Sequence, residues 1–373
     1  MDFRLTDDQL ALRRGMRELL AARFGREALR EAVEAPGIDR VLWRALGEAG
    51  LFSLRADEEE GGAGAGLPEA VLLFEEAGRA LLPGPLVASH LAGGTGLVPG
   101  AADGTAVVTA VDAAPGAGAV AGDGVLVEHL PSADAVLVVR DGGEPVDVVA
   151  PGAPAAVPVR SLDPLSPLHR VAEGTLPAST PAGGAACGRS ADGGSADGGL
   201  ADGRSANEWS GNGAARGTSV RGRASGGVSA GVLRREAALL TAAQQLGSAA
   251  RTVEMAVAHA REREQFGRPI GSFQAVQHLC ARMLVRTETA RSAVYAAAVT
   301  ADETETCAAK LLADEAATAN ARDCLQVHGG MGFTWEADVH LHLKRAWLRA
   351  AQWRTDVEAE ERLAAALRCP IPR

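Results

Sequence analysis

The stretch Arg263–His278 reads REQFGRPIGSFQAVQH, and the plan of the whole chain can be worked out from it in both directions. It begins where a long apolar stripe stops. Leu239, Ala243, Leu246, Ala250, Val253 and Val257 alternate steps of four and three, which places them on one face of a helix. FGRPIG then interrupts the pattern, as Gly and Pro do, and Val276, Leu279 and Met283 open a second stripe. The runs ARSAVYAAA and CAAKLLADEAATANA extend the helices, and the alanines on these stripes let neighbours approach closely. Residues 229–373 therefore read as a helical bundle.

Upstream the composition changes three times. Between Pro181 and Val228 the only large apolar side chains are Leu200, Trp209, Val220 and Val228, and SADGG occurs twice in tandem. Such a segment buries too little surface to offset its ordering entropy, so 181–228 is expected to be a disordered linker. Residues 101–180 carry the β-branched runs TAVVTAVD, GVLVEHL, DAVLVVRD and VDVVAPG, with Asp123-Gly124 and Gly142-Gly143 as hairpin turns, which predicts a small antiparallel β-domain. Residues 1–100 read as helical: Thr6 and Gln9 form a capping box ahead of Leu12, Met16 and Leu19, a second helix covers 39–49, and an apolar helix through Val71, Leu72, Phe74 and Leu81 ends at Pro83 and Pro85. The expected fold class is α+β, mainly α, in the order helices, small sheet, helices.

Composition narrows the function. Of 373 residues, 47% are apolar, enough for a substantial core. The net charge of -10 disfavours nucleic acid or an anionic membrane as partner, since both require clustered Lys and Arg. No basic leader opens the chain and no run approaches the roughly 18 apolar residues of a spanning helix, so a cytoplasmic protein is expected. Five cysteines without a CxxC pair predict reduced, mostly buried thiols.

Several motifs invite chemistry. Gly61–Gly66 (GGAGAG) holds a GxGxG fragment, but DEEE precedes it where a dinucleotide fold needs a buried strand, so it reads as a loop between helices. His340 and His342, two apart on a helix, face different sides and cannot share a metal; they are expected at the solvent or an interface, and no metal is assigned. His328 abuts Gly329-Gly330, where backbone can approach a ligand. Arg263, at the helix end, has Gln265, Phe273 and Gln274 nearby: a guanidinium for phosphate oxygens, amides, and a ring for stacking, the equipment for a diphosphate and an adenine. The other reading open at this level pairs Arg263 with Glu262 or Glu264 and puts Phe273 in the core.

Arg263–His278, joined by QVHGGMGFTWE at Gln326–Glu336, resembles the acyl-CoA dehydrogenase family. The resemblance implies a fold of N-terminal helices, a middle β-domain and a C-terminal helical bundle. It also implies FAD, with Arg263, Gln265, Phe266, Phe273 and Gln274 reaching its diphosphate and adenosine end in a neighbouring subunit, and Gln326, Val327, His328, Gly329 and Gly330 adding contacts across that interface. The implied activity introduces a 2,3 double bond into an acyl-CoA thioester, with electrons passing to an electron-transfer flavoprotein. Three departures accompany the resemblance. The place of the family's T-E-x-x-x-G-S-D flavin loop reads LAGGTGLVPGAADG, Leu91–Gly104; the usual base position reads AAQWRT, with Trp353 in the glutamate's place; and the alternative base position, on the first helix of the bundle, falls one residue from Glu236, which is the candidate base within the chain. The alternatives that follow are a half-site or non-catalytic subunit of a heteromeric dehydrogenase, homo- or hetero-oligomeric assembly being implied in either case, and a helical interaction scaffold without flavin.

Overall fold

The computed structural model describes residues 5–113, 124–140, 146–152, 155–172 and 228–368. Helix α1 (Asp7–Arg23) starts at the expected capping box: the Thr6 hydroxyl accepts from the Gln9 amide, and the Gln9 side chain accepts from the Thr6 amide. Helices α2 (Arg26–Glu34), α3 (Arg40–Glu48) and α4 (Leu67–Arg79) follow, with Gly61–Gly66 as the connection into α4. Helix α5 (Leu86–Gly94) occupies the first part of the stretch that sequence reading matched to a flavin loop; Leu86, Val87, Ala88, Leu91 and Ala92 are all buried, and that burial outweighs the poor helix propensity of its terminal glycines. Leu91–Gly104 is thus a helix end and its exit turn, ahead of the first strand.

The β region departs from the antiparallel expectation. Strands β1 (Val108–Asp112), β3 (Ala135–Val139) and β4 (Asp147–Val149) form one sheet; β2 (Val125–Glu128), β6 (Leu168–Val171) and β5 (Ala156–Val159) form another, with order β1-β3-β4 and β2-β6-β5. β1 and β3 pair in parallel, Val108 opposite Ala135, while β3–β4, β2–β6 and β5–β6 are antiparallel. No β1–β2 hairpin forms, because β2 crosses to the second sheet and the chain returns to lie alongside β1 in the same direction. All five residues of β3 are buried, as befits a central strand. The expected linker, 181–228, lies outside the described residues except for Val228, and so does the Gly142-Gly143 turn.

Helix α6 (Ala230–Glu262) is the axis of the molecule. From Ala237 to Ala249 it is buried on every side, because α4 packs on one flank and α7 (Gln274–Thr300), α8 (Glu303–His328) and α9 (Val339–Ala350) on the others. The single stripe expected from periodicity is therefore only part of its buried surface. Helix α10 (Asp356–Arg368) closes the bundle against α8. Both His340 and His342 are buried, contrary to expectation. Trp335 stacks on His340, and the Ser248 hydroxyl lies 2.8 Å from His342 Nδ1, since α9 is covered by neighbouring elements instead of facing solvent. Cys307 and Cys324 are buried free thiols and Cys280 is a half-buried one.

Candidate functional site

The Arg263–Gln274 segment forms a projecting turn. Arg263 caps α6, donating its amide to the His259 carbonyl at 2.9 Å, and accepts from the Ile270 amide at 2.8 Å. Between these bonds β7 (Glu264–Gln265) and β8 (Arg268–Pro269) make a two-residue hairpin. Phe266 at φ +54° and Gly267 at φ +75° supply its two left-handed positions. A phenylalanine is strained there, and Phe266 is also 91% exposed. Its ring meets Phe273 edge-on at 6.0 Å, and the Arg268 guanidinium lies 4.2 Å over the Phe273 ring. Arg263, Gln265 and Gln274 are exposed as well, and Arg263 makes no ion pair among the described residues, so it does not pair with Glu262 or Glu264. Phe273 is half-buried.

The second motif lies beside the first. His328, at the end of α8, stacks on His259 near the end of α6 with centroids 4.1 Å apart. The His328 Nδ1 donates to the Cys324 carbonyl at 2.8 Å, which leaves Nε2 as an acceptor. Gly329 at φ +60° ends the helix, and a Cβ at Gly330 would meet nothing. Gln326, Gly329 and Gly330 are exposed, whereas Val327 turns into the core with Ala256, Ala260 and Met283. The two motifs thus share one end of the bundle, displaying an unpaired guanidinium, amides, glycine backbone and an aromatic ring outward.

A second region lies between the β strands and the bundle. A cavity of about 80 Å³ lies between the strands and the turn after α9, with Asp112, Glu128, Leu348, Gln352 and Trp353 among its walls. Asp112 accepts from Arg234 Nε at 2.9 Å. Glu128 makes no ion pair among the described residues; its nearest donor is Gln352 Nε2 at 3.3 Å. Burial pushes the Glu128 carboxyl above the usual carboxylate range, against the pull of Arg345, Gln352 and Arg349. Behind it Arg345 is held by Asp163, and Arg349 is buried without an ion pair among the described residues, its pKa lowered to about 9 by burial. Glu128 is an acid that sequence reading passed over. Its setting is built by residues 345–353, more than 200 positions away, and no local pattern announces it.

Glu236 is differently placed. Its two carboxylate oxygens accept from Arg55 at 2.7 and 2.8 Å, so the face a substrate proton would have to reach is occupied by a guanidinium. Trp353, in the place where the resemblance puts a glutamate, adopts φ +61° and brings no acid.

The flavin implied by the resemblance fits the two regions unequally. The exposed turn offers unpaired donors and a ring suited to a diphosphate and an adenosine. The cavity holds only a few waters, and a three-ring isoalloxazine does not fit it as it stands.

Comparison with known proteins agrees with this layout. The sequence model for the acyl-CoA dehydrogenase N-terminal domain matches residues 6–105, and that for the acyl-CoA dehydrogenase C-terminal domain matches 232–353. The chain is 32% identical over 343 residues to acyl-CoA dehydrogenase IpdE2 of Mycobacterium tuberculosis, covering 91% of each chain, and 32% identical over 351 residues to IpdE2 of Mycolicibacterium smegmatis, covering 92% of this chain and 93% of that one. Among solved structures, the ChsE4-ChsE5 complex from M. tuberculosis superposes with a TM-score of 0.73 at 24% identity over the whole of both chains. Butyryl-CoA dehydrogenase from Megasphaera elsdenii gives 0.70 at 18% identity over 98% of this chain and 100% of that one.

Proposed function

The chain belongs to the acyl-CoA dehydrogenase family, FAD-dependent oxidoreductases that act on CH–CH groups, and from that membership we propose that it is one subunit of a hetero-oligomeric acyl-CoA dehydrogenase. In this reading its exposed turn serves a flavin shared with a related chain, and the assembly introduces a 2,3 double bond into an acyl-CoA. The observation that carries the reading is the contrast between the unpaired, outward Arg263 beside a 91% exposed Phe266 and a cavity of about 80 Å³. Arg263 would fork onto the diphosphate, Gln265 and Gln274 would hydrogen-bond the adenosine, and Phe266 would cover it. FAD held by these residues would supply the hydride acceptor, and an electron-transfer flavoprotein would take the electrons onward. A structural relative described as a complex of two chains, ChsE4 and ChsE5, supports the heteromeric arrangement, and the free thiols of Cys280, Cys307 and Cys324 suit a cytoplasmic setting.

One observation favours a second reading, a self-sufficient enzyme. Glu128 is an acid on the cavity wall with no ion pair among the described residues and with its pKa raised by burial, the environment a general base requires, whereas Glu236 is engaged by Arg55.

The test is the visible spectrum of the chain purified alone and co-purified with a related chain, with flavin counted per subunit and bleaching by saturated acyl-CoA followed without oxygen. Flavin retained and bleached only in the mixed assembly is the expected result. Stoichiometric flavin that bleaches in the isolated chain would replace the subunit reading by the second one.

A further inference from the structure

A third region has no part in the flavin reading. At the N-terminal end of α6 a cavity of about 360 Å³ is lined by Ser229, Arg234, Arg235, Glu303, Arg354 and Arg362. Four guanidinium groups around one cavity are unexpected in a chain of net charge -10. Three of them are held in place by carboxylates. Glu303 accepts from Arg354 Nη2 at 2.7 Å and Arg362 Nη1 at 3.0 Å. Glu358 accepts from Arg234 and from Arg362 Nε at 3.2 Å, and Asp112 accepts from Arg234 Nε at 2.9 Å. Three acids thus offset three arginines and fix them as a rigid wall.

The fourth, Arg235, makes no hydrogen bond or ion pair among the described residues, and its Nε is shut off from solvent without a partner. Arg354, 2% exposed, has an Nε without a hydrogen-bond partner among the described residues, although it lies within ion-pair distance of Glu358 at 3.8 Å. The helix itself adds donors. The Ser229 side chain does not cap α6 and the first turn contains no acid, so among the described residues no side chain caps the first amides, and the positive end of a 33-residue helix adds to the same place. A neutral or apolar ligand would leave these donors unmet, and a protein carboxylate is already spent on each of the other arginines. Four arginines against three acids leave one uncompensated positive charge, and together with the helix end and the number of donors that suits a tetrahedral oxyanion with several acceptor oxygens.

We propose that this cavity is a phosphate-binding subsite that takes a phosphate ester or inorganic phosphate, with Arg235 as the uncompensated cation at its centre. The phosphates of a CoA thioester and free phosphate share this chemistry.

The experiment uses the full chain and needs neither flavin nor turnover, so its outcome is independent of the dehydrogenase reading. Inorganic phosphate, ADP and CoA are titrated by calorimetry at constant ionic strength, with chloride as the control anion, for the wild type, R235A and R235K. Arg235 makes no hydrogen bond or ion pair among the described residues, so R235A is expected to shift the Tm little, and R235K, which keeps the stem and the charge, controls for lost packing. Saturable phosphate binding, weakened about tenfold or more in R235A and partly restored in R235K, is the expected result. CoA binding more tightly than ADP and phosphate, with the same dependence on Arg235, would make the thioester substrate the source; equal binding of all three would make it free phosphate. Heat no greater than the chloride control, or binding unchanged in R235A, would overturn the assignment.

Discussion

At the scale of single residues, chemistry and stability pull apart at Phe266. A left-handed φ of +54° costs a non-glycine residue about 1 kcal/mol, and a side chain 91% exposed recovers almost nothing by burial. Phe266→Gly is therefore expected to stabilise the isolated chain by about 1 kcal/mol while lowering flavin retention in the mixed assembly; an unchanged flavin content would show that the ring does not serve the cofactor. Glu128 gives a second test with a definite sign. A carboxyl whose folded pKa is raised contributes stability below its unfolded pKa and loses it as pH rises through the folded value. Glu128→Gln should accordingly raise the urea midpoint at pH 7.5 and leave it nearly unchanged at pH 4, and a uniform loss at both would contradict the unpaired setting. The Arg263–Gln274 turn was legible in sequence because its geometry is local: a helix end, a two-residue turn and a new helix. Val327 was not, since membership of a motif says nothing about which face of α8 a residue occupies, and there the core claims the side chain.

At the scale of elements, the helices were legible and their partners were not. Apolar period identifies α6 as a helix, but that α4 and α8 would both press on it, and that α5 would form through burial despite its glycines, depends on long-range packing. The strands show the same limit: alternation marks β1, β2 and β3, yet nothing in it specifies that β1 pairs in parallel with β3 and leaves β2 to another sheet. Where α4 and α6 cross, the backbones touch. A Cβ at Gly247 would overlap the Glu75 carbonyl oxygen, and one at Gly78 would overlap the Gln244 carbonyl. Gly247→Ala is expected to cost about 2 kcal/mol or more, the overpacking penalty outrunning the gain in helix propensity. Gly15 in α1 is the control: exposed and with nothing within 4 Å of a built Cβ, its alanine variant should gain about 0.5–1 kcal/mol. Denaturation midpoints of the two variants read the difference directly, and equal shifts would deny the close crossing.

At the scale of the whole molecule, the three parts legible in the sequence are bound by ion pairs that were not: Arg55 of the N-terminal helices to Glu236 of α6, Arg345 of α9 to Asp163 of the β region, and Arg30 of α2 to Asp338 ahead of α9. Each part also encloses a histidine kept neutral by burial. His90 in α5 has its pKa lowered to about 4, His129 after β2 to about 3, and His342 in α9 to about 3, with desolvation the leading cause in all three. The unfolded chain protonates these side chains near pH 6.5, so between that pH and the folded values the unfolded state binds more protons and stability falls as pH falls. Their contribution is intact above about pH 6.5, and at pH 5 each has withdrawn about 2 kcal/mol. Three such losses rival the whole stability of a typical domain, about 5–15 kcal/mol. Protonating the excess carboxylates of a chain with net charge -10 relieves repulsion over the same interval, but acts through solvated groups and is the weaker effect. Because the histidines lie in all three parts, the loss should be global and cooperative. Urea melts at pH 7.5, 6.5 and 5, followed by both helical signal and tryptophan fluorescence, should show coincident midpoints that move little from 7.5 to 6.5 and then fall steeply; a flat profile down to pH 5 would mean that none of these rings is held neutral in the folded state.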